Sequence, residues 1–321
     1  IKKRKIGFYT LALVIFMGGA LTISILACST NTEIVSQLVK EDTELLTVTP
    51  VSAPKPSLEE EVDILPLDKE NSDLPTVTSV SSPQSSLEAE ADILPLDVVW
   101  DMLGQVNSDR ALNDLRQLTG EEPICLSYGC YTIPHRLTGS LGLEWAQDYI
   151  YENLVDLGYN VEYIDWSSSV LADQNLVARK EGVLNPDEEV YFVSHVDGVR
   201  TYEANFPAAD DNASGVVNGL ELARIMSNYE FERTLVLFFS SGEEQGAVGV
   251  NEYLDQLTAE ELDAIEYVVN RDMTGYDGNG DRVMELFHGD HDASIMLTRM
   301  MSEIIEVYQL DLVPIVVAGC P

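Results

Sequence analysis

The amino-acid sequence predicts an α/β domain with a largely parallel central sheet, and three features of the chain carry that reading. Short apolar runs alternate with helix-like patterns from about residue 98 onward, as expected of strands joined by crossover helices. Several of those runs end directly on a histidine or a carboxylate. Residues 29–97, by contrast, are too polar to build a core of their own.

The N-terminal segment reads as a targeting element. Lys2, Lys3, Arg4 and Lys5 precede an apolar run from Ile6 to Ala27, followed by Cys28. A basic start before apolar residues is a secretory signal. Ile25-Leu26-Ala27-Cys28 resembles a bacterial lipobox, with Cys28 as the lipidated residue. The same run is long enough for an uncleaved signal anchor. Both readings tether the protein to a membrane and place the remainder outside the cytoplasm, at the cell surface.

Residues 29–97 are rich in Ser, Thr, Pro and Glu, and they repeat. Thr47–Asp68 (TVTPVSAPKPSLEEEVDILPLD) recurs as Thr76–Asp97 (TVTSVSSPQSSLEAEADILPLD). Two polar copies make no solenoid; they make a disordered acidic linker. From residue 98 to residue 321 the pattern is globular. Leu141, Leu143, Ala146, Tyr149, Ile150, Leu154 and Leu157 recur at helical spacing, and Gly158 closes the helix. Strands are predicted at Val161–Ile164, Leu176–Ala178, Val190–Ser194, Thr234–Ser240 and Glu266–Asn270. Helices are predicted at Ser214–Asn228 and His291–Val307. Nothing indicates an inserted second domain.

Composition narrows the function. The 321 residues hold 55 acidic against 18 basic side chains, for a formal charge of −37. Such a surface repels nucleic acid, so nucleic-acid binding is excluded as the function class. Four cysteines are too few for a disulfide scaffold. In an exported protein, Cys125 and Cys130 are predicted to pair.

The strand ends carry the chemistry. Val190–Ser194 runs into His195-Val196-Asp197, and Thr234–Phe239 runs through Ser240-Ser241-Gly242 into Glu243-Glu244. The strand at 266–270 runs into Arg271-Asp272, and Asp210-Asp211-Asn212 stands just before a helix. Taken singly, each has a bland reading: a structural histidine, a helix cap, a solvated turn, a strand terminus. Together, at the carboxyl edge of one sheet, they make a ligand crevice. One imidazole among carboxylates suits zinc, a borderline cation that accepts nitrogen and oxygen.

From about Arg136 onward the chain resembles the family-28 metallopeptidases, the two-zinc aminopeptidases of bacterial leucyl aminopeptidase type. The matching segments are His195-Val196-Asp197, Ala209-Asp210-Asp211-Asn212-Ala213-Ser214-Gly215, Ser241-Gly242-Glu243-Glu244-Gln245-Gly246 and Asn270-Arg271-Asp272-Met273. Arg136-Leu137-Thr138-Gly139-Ser140 is similar to the family's substrate-side opening segment. The resemblance implies a three-layer α/β/α exopeptidase fold with a mixed, largely parallel sheet. It implies Asp211 as the ligand bridging two zinc ions, His195 and Asp272 completing one site, and Glu244 in the other. It further implies Glu243 as general base toward a metal-bridging water, and Asp197 as the carboxylate orienting His195. The substrates would be peptides with a free N-terminus.

The family's last ligand is a His in a Ser-Asp-His segment that this sequence lacks; it ends at Gly319-Cys320-Pro321 and opens on Ile1. The expectation is therefore a C-terminally incomplete catalytic domain with one metal site complete. The rival readings are a glutaminyl cyclase-like single-zinc acyltransferase, a carboxypeptidase-like preference, and a non-catalytic binding lipoprotein of the same fold. His288 and His291 read as surface residues at a helix start. Asp277-Gly278-Asn279-Gly280-Asp281 reads as an acidic turn, because Arg282 and His288 stand where a calcium loop needs Gly and Glu.

Overall fold

The computed structural model describes residues 96–199 and 206–319, with side chains from residue 98, and the backbone of residues 5–6 and 24–27. Cys28 and the duplicated segment lie outside the described residues, except for Leu96 and Asp97 at the end of the second copy, which open a helix. No described helix is long and apolar enough to cross a membrane.

The strands are β1 (Lys5–Ile6), β2 (Ser24–Ala27), β3 (Ile124–Leu126), β4 (Gly129–Tyr131), β5 (Asn160–Ser167), β6 (Ala172–Lys180), β7 (Asn185–His195), β8 (Glu230–Phe231), β9 (Arg233–Ser240), β10 (Ile265–Asp272), β11 (Val283–His288) and β12 (Val313–Ala318). The helices are α1 (Leu96–Leu103), α2 (Ser108–Leu118), α3 (Leu141–Asp156), α4 (Gly215–Met226), α5 (Val248–Gln256), α6 (Ala259–Asp263) and α7 (Asp292–Val307). The main sheet runs β12-β11-β2-β10-β7-β9-β6-β5. Its centre, β10-β7-β9, is parallel, whereas β5 and β6 form an antiparallel edge. The sheet is therefore mixed, as the sequence predicts. Ser24–Ala27 falls in the stretch that reads as an export leader, so leader and sheet strand are alternatives for the same residues.

β9 explains why the centre is parallel. Leu235–Phe239 is a continuous apolar run, buried at every position, as a strand covered on both faces must be. Alternation divides it. Leu235, Leu237 and Phe239 join Phe192, Leu220 and Ala223 in the larger core, whereas Val236 and Phe238 join Tyr191 and Tyr253 in the smaller one. Helix α4 packs on the first face and α5 on the second, which makes three layers.

Polar ties fasten the helical layer. Asp114 of α2 is buried, and it accepts from the Tyr149 hydroxyl at 2.6 Å and from Arg224 Nη1 at 2.5 Å. It thus joins α2, α3 and α4. Asp114→Ala would leave the Tyr149 hydroxyl without its acceptor and Arg224 with only Glu221 at 3.6 Å and Asn153 at 3.1 Å, at a cost of about 2–3 kcal/mol. Thermal unfolding of that variant should fall by roughly 5–10 °C; an unchanged melting temperature would remove this tie from the fold's support. Cys125 and Cys130 face each other across the β3–β4 hairpin and form a disulfide.

Candidate metal centre

Parallel pairing brings the polar strand ends together. The β10–β7 register sets Asn270 against Val193, so two residues further on Asp272 lies abreast of His195. The β7–β9 register sets His195 against Ser240, which places the Ser241–Glu244 turn on the same edge. A π-type turn, Ala209–Ser214, then delivers Asp211 as the chain enters α4.

His195 is only 3% exposed, and its Nε2 faces carboxylates alone. Asp211 Oδ1 is 3.1 Å away, Asp272 Oδ1 3.6 Å and Glu243 Oε2 4.0 Å. One donor atom from each of His195, Asp211 and Asp272 lies within 4.8 Å of the others. Glu244 stands outside this group of three. Burial opposes a charge on His195, but hydrogen bonding to Asp197, Asp211 and Asp272 pushes the imidazole up to about 12. The same imidazole holds Asp211 below the usual carboxylate range. Burial, followed by the Asp211 charge, pushes the Glu244 carboxyl up to about 7. Burial also raises Glu243, and the negative charges of Asp272, Asp197 and Asp211 add to the rise against His195. Such a cluster of acids is short of positive charge.

A divalent cation fits that deficit. Despite these close carboxylates, His195 Nε2, Asp272 Oδ1 and Glu244 Oε1 are buried atoms with no well-aligned hydrogen-bond partner among the described residues, although buried polar atoms are ordinarily paired. Three protein donors of N, O, O type match a catalytic zinc site that keeps a position open.

Asp197 is fully buried and serves two loops. Its backbone carbonyl lies 3.1 Å from His195 Nδ1, closer than its carboxylate at 3.6 Å. The carboxylate instead accepts the N–H groups of Glu243 at 3.3 Å and Glu244 at 3.2 Å, and the Thr138 hydroxyl at 3.2 Å. Thr138, to which sequence reasoning gave no role of its own, thus holds the general site together. Asn212 does likewise: its amide donates to the Arg271 carbonyl at 2.9 Å and accepts from Gly215 N–H at 2.9 Å. It caps α4 and ties the Asp211 turn to β10. Asp210 turns away from the cluster and accepts the N–H of Gly275 at 2.7 Å. His288 lies outside the cluster, its Nδ1 2.7 Å from the Gly289 carbonyl oxygen, and His291 sits at the N-cap position of α7.

Gly242 shapes the Glu243–Glu244 turn. Its φ is +74°, and a Cβ there would lie 2.7 Å from the Trp166 ring. Gly242→Ala should therefore cost about 1–3 kcal/mol, and a ~1 Å displacement of the turn should lower turnover roughly 10²-fold. Melting curves and turnover check both; an active, equally stable variant would contradict this packing.

Residues 175–311 match the model of peptidase family M28. A probable zinc metalloprotease of Pyrenophora tritici-repentis is 26% identical over 195 residues, 54% of this chain and 43% of that protein. Aminopeptidase YwaD of Bacillus subtilis is 33% identical over 104 residues, 32% of this chain and 22% of its own length. The chain thus spans less than half the length of these curated relatives. The structure of the LapA aminopeptidase of Legionella pneumophila superposes with a TM-score of 0.52 at 20% identity, over 74% of this chain and 62% of that one. That likeness shows a shared fold. Residues 175–311, which hold His195, Asp211 and Asp272 at the sheet edge, are thus similar to peptidase family M28.

Proposed function

We propose that this chain carries the catalytic machinery of an exported, zinc-dependent aminopeptidase that removes N-terminal residues from peptides. The observation that carries the proposal is the placement of His195 Nε2 among the Asp211 and Asp272 carboxylates, with buried ligand atoms that lack a well-aligned hydrogen-bond partner among the described residues. His195, Asp211 and Asp272 would hold one zinc ion; Asp211 would bridge to a second, which also takes Glu244. Zinc, when bound, supplies Lewis acidity that lowers the pKa of water and polarises a carbonyl.

The protein's own groups do the rest. Glu243 borders the cluster without belonging to its three donors, so its carboxylate is available as the general base. It takes the proton of the attacking water and passes it to the leaving amine. Asp197 holds Glu243 and Glu244 by their backbone N–H groups and orients the imidazole through Nδ1, which keeps Nε2 pointed at the metal. The names of the Bacillus and Legionella relatives, both aminopeptidases, support the same direction of attack.

Export rests on the basic–apolar N-terminal segment, on the lipobox-like Cys28, and on the Cys125–Cys130 disulfide, which suits an oxidising compartment. A membrane tether through a lipid or anchor follows from the same segment. Hydrolysis of an aminoacyl anilide against its N-acetylated form tests the reading. The free amine should be cleaved and the acetylated substrate left intact. Cleavage of the acetylated form alone would contradict an aminopeptidase, and cyclisation of N-terminal glutamine without hydrolysis would favour a cyclase.

A further inference from the structure

We propose that Arg136 is a positioning residue that sets the spacing of the two chain segments carrying His195 and Asp211 before any metal arrives. This rests on the metal reading above. Arg136 is 1% exposed and has no carboxylate within ion-pair distance among the described residues. Its guanidinium spends itself on backbone carbonyls. Nε donates to Val196 at 2.7 Å, Nη1 to Leu118 at 2.7 Å and to Pro207 at 2.9 Å, and Nη2 to Ala208 at 2.7 Å. Val196 directly follows His195, while Pro207 and Ala208 lead into the Asp210–Asp211 turn. One rigid planar group therefore ties both ligand-bearing segments to each other and to the end of α2. The Arg136 carbonyl adds a further tie by accepting Gly198 N–H at 2.9 Å.

Two independent features show that this junction is set closely. Ala208 is left-handed, with φ 46° and ψ 50°, a conformation that a residue with a Cβ holds only when its surroundings impose it. Its carbonyl is fixed from both sides, by Arg136 Nη2 and by Ala213 N–H at 3.1 Å. A Cβ on Gly198 would meet the Ala208 Cβ at 2.7 Å, so the two segments touch where the arginine clamps them. Only arginine offers five N–H donors in one plane; lysine offers three at a point and cannot span these four carbonyls.

The test is Arg136→Lys in the full-length protein, with folding monitored by circular dichroism. A folded variant should bind zinc about 10- to 100-fold more weakly by chelator competition, the range seen when groups supporting metal ligands are removed. Turnover should fall by a similar factor with KM little changed, and the cobalt-loaded variant should show a shifted visible absorption band. Wild-type zinc affinity, cobalt spectrum and turnover in a folded Arg136→Lys protein would overturn the proposal. Should the variant not fold, hydrogen exchange in the wild-type protein decides. The Gly198 and Ala213 amides should be as protected without zinc as with it. If they exchange freely until zinc is added, the metal orders these segments and the arginine does not. A wild-type protein that binds no zinc defeats the metal reading alone, since the exchange rates still judge the clamp.

Discussion

Glu243→Gln in the full-length protein is expected to keep its zinc and lose about 10²- to 10⁴-fold of turnover, the contribution of general acid–base catalysis. The amide is nearly isosteric with the carboxylate, so the turn that Gly242 opens and Asp197 holds should persist. His195, Asp211 and Asp272 are untouched. What disappears is the one carboxylate among the described residues that borders His195 Nε2, at 4.0 Å, from outside the three-donor cluster. Zinc content measured beside kcat separates the effects. Loss of zinc together with turnover would make Glu243 a ligand, and retention of both would take it out of the chemistry.

A second large effect is expected in metal stoichiometry. If Asp211 bridges, the full-length protein should carry about two zinc ions, as two-metal hydrolases do. His195→Ala and Asp272→Ala should each empty one site, because a catalytic zinc ordinarily needs three protein ligands. Glu244→Ala should weaken only the other site. Asp211→Ala should lose both metals and fall to the activity of the metal-free protein. Elemental analysis of the four purified variants reads this directly. An Asp211→Ala protein that keeps one tight zinc would show that Asp211 serves a single site, and one that keeps both would remove it from the ligand set.

The centre of the fold was legible because both faces of the parallel strands are covered. That makes Val190–Ser194 and Thr234–Ser240 plain apolar runs, and their polar ends then fall on one edge. The predicted helices at 141–157, 214–228 and 291–307 correspond closely to α3, α4 and α7. Strand β12 escaped notice because Pro314 interrupts its apolar run, a residue that sheets tolerate at an edge, which is where β12 lies. Helix α5 buries little beyond Gly249 and Tyr253, so its periodicity is faint. The supporting residues of the site were hidden for a different reason. Arg136 reaches carbonyls some 60 and 72 residues away, and Asp197 reaches amides 46 and 47 residues away. Such ties leave no local pattern. Asn212 shows both readings at once, since the Asp-Asp-Asn stretch does supply a cap to α4, and that leaves Asp211 free to face His195.

The most direct measurement is hydrolysis of an aminoacyl anilide by the full-length protein before chelation, after chelation, and after zinc is returned. Activity should vanish with the metal and come back with zinc, because His195 Nε2, Asp272 Oδ1 and Glu244 Oε1 have no well-aligned hydrogen-bond partner among the described residues. Undiminished hydrolysis by the fully stripped protein would contradict a metal centre at His195, Asp211 and Asp272.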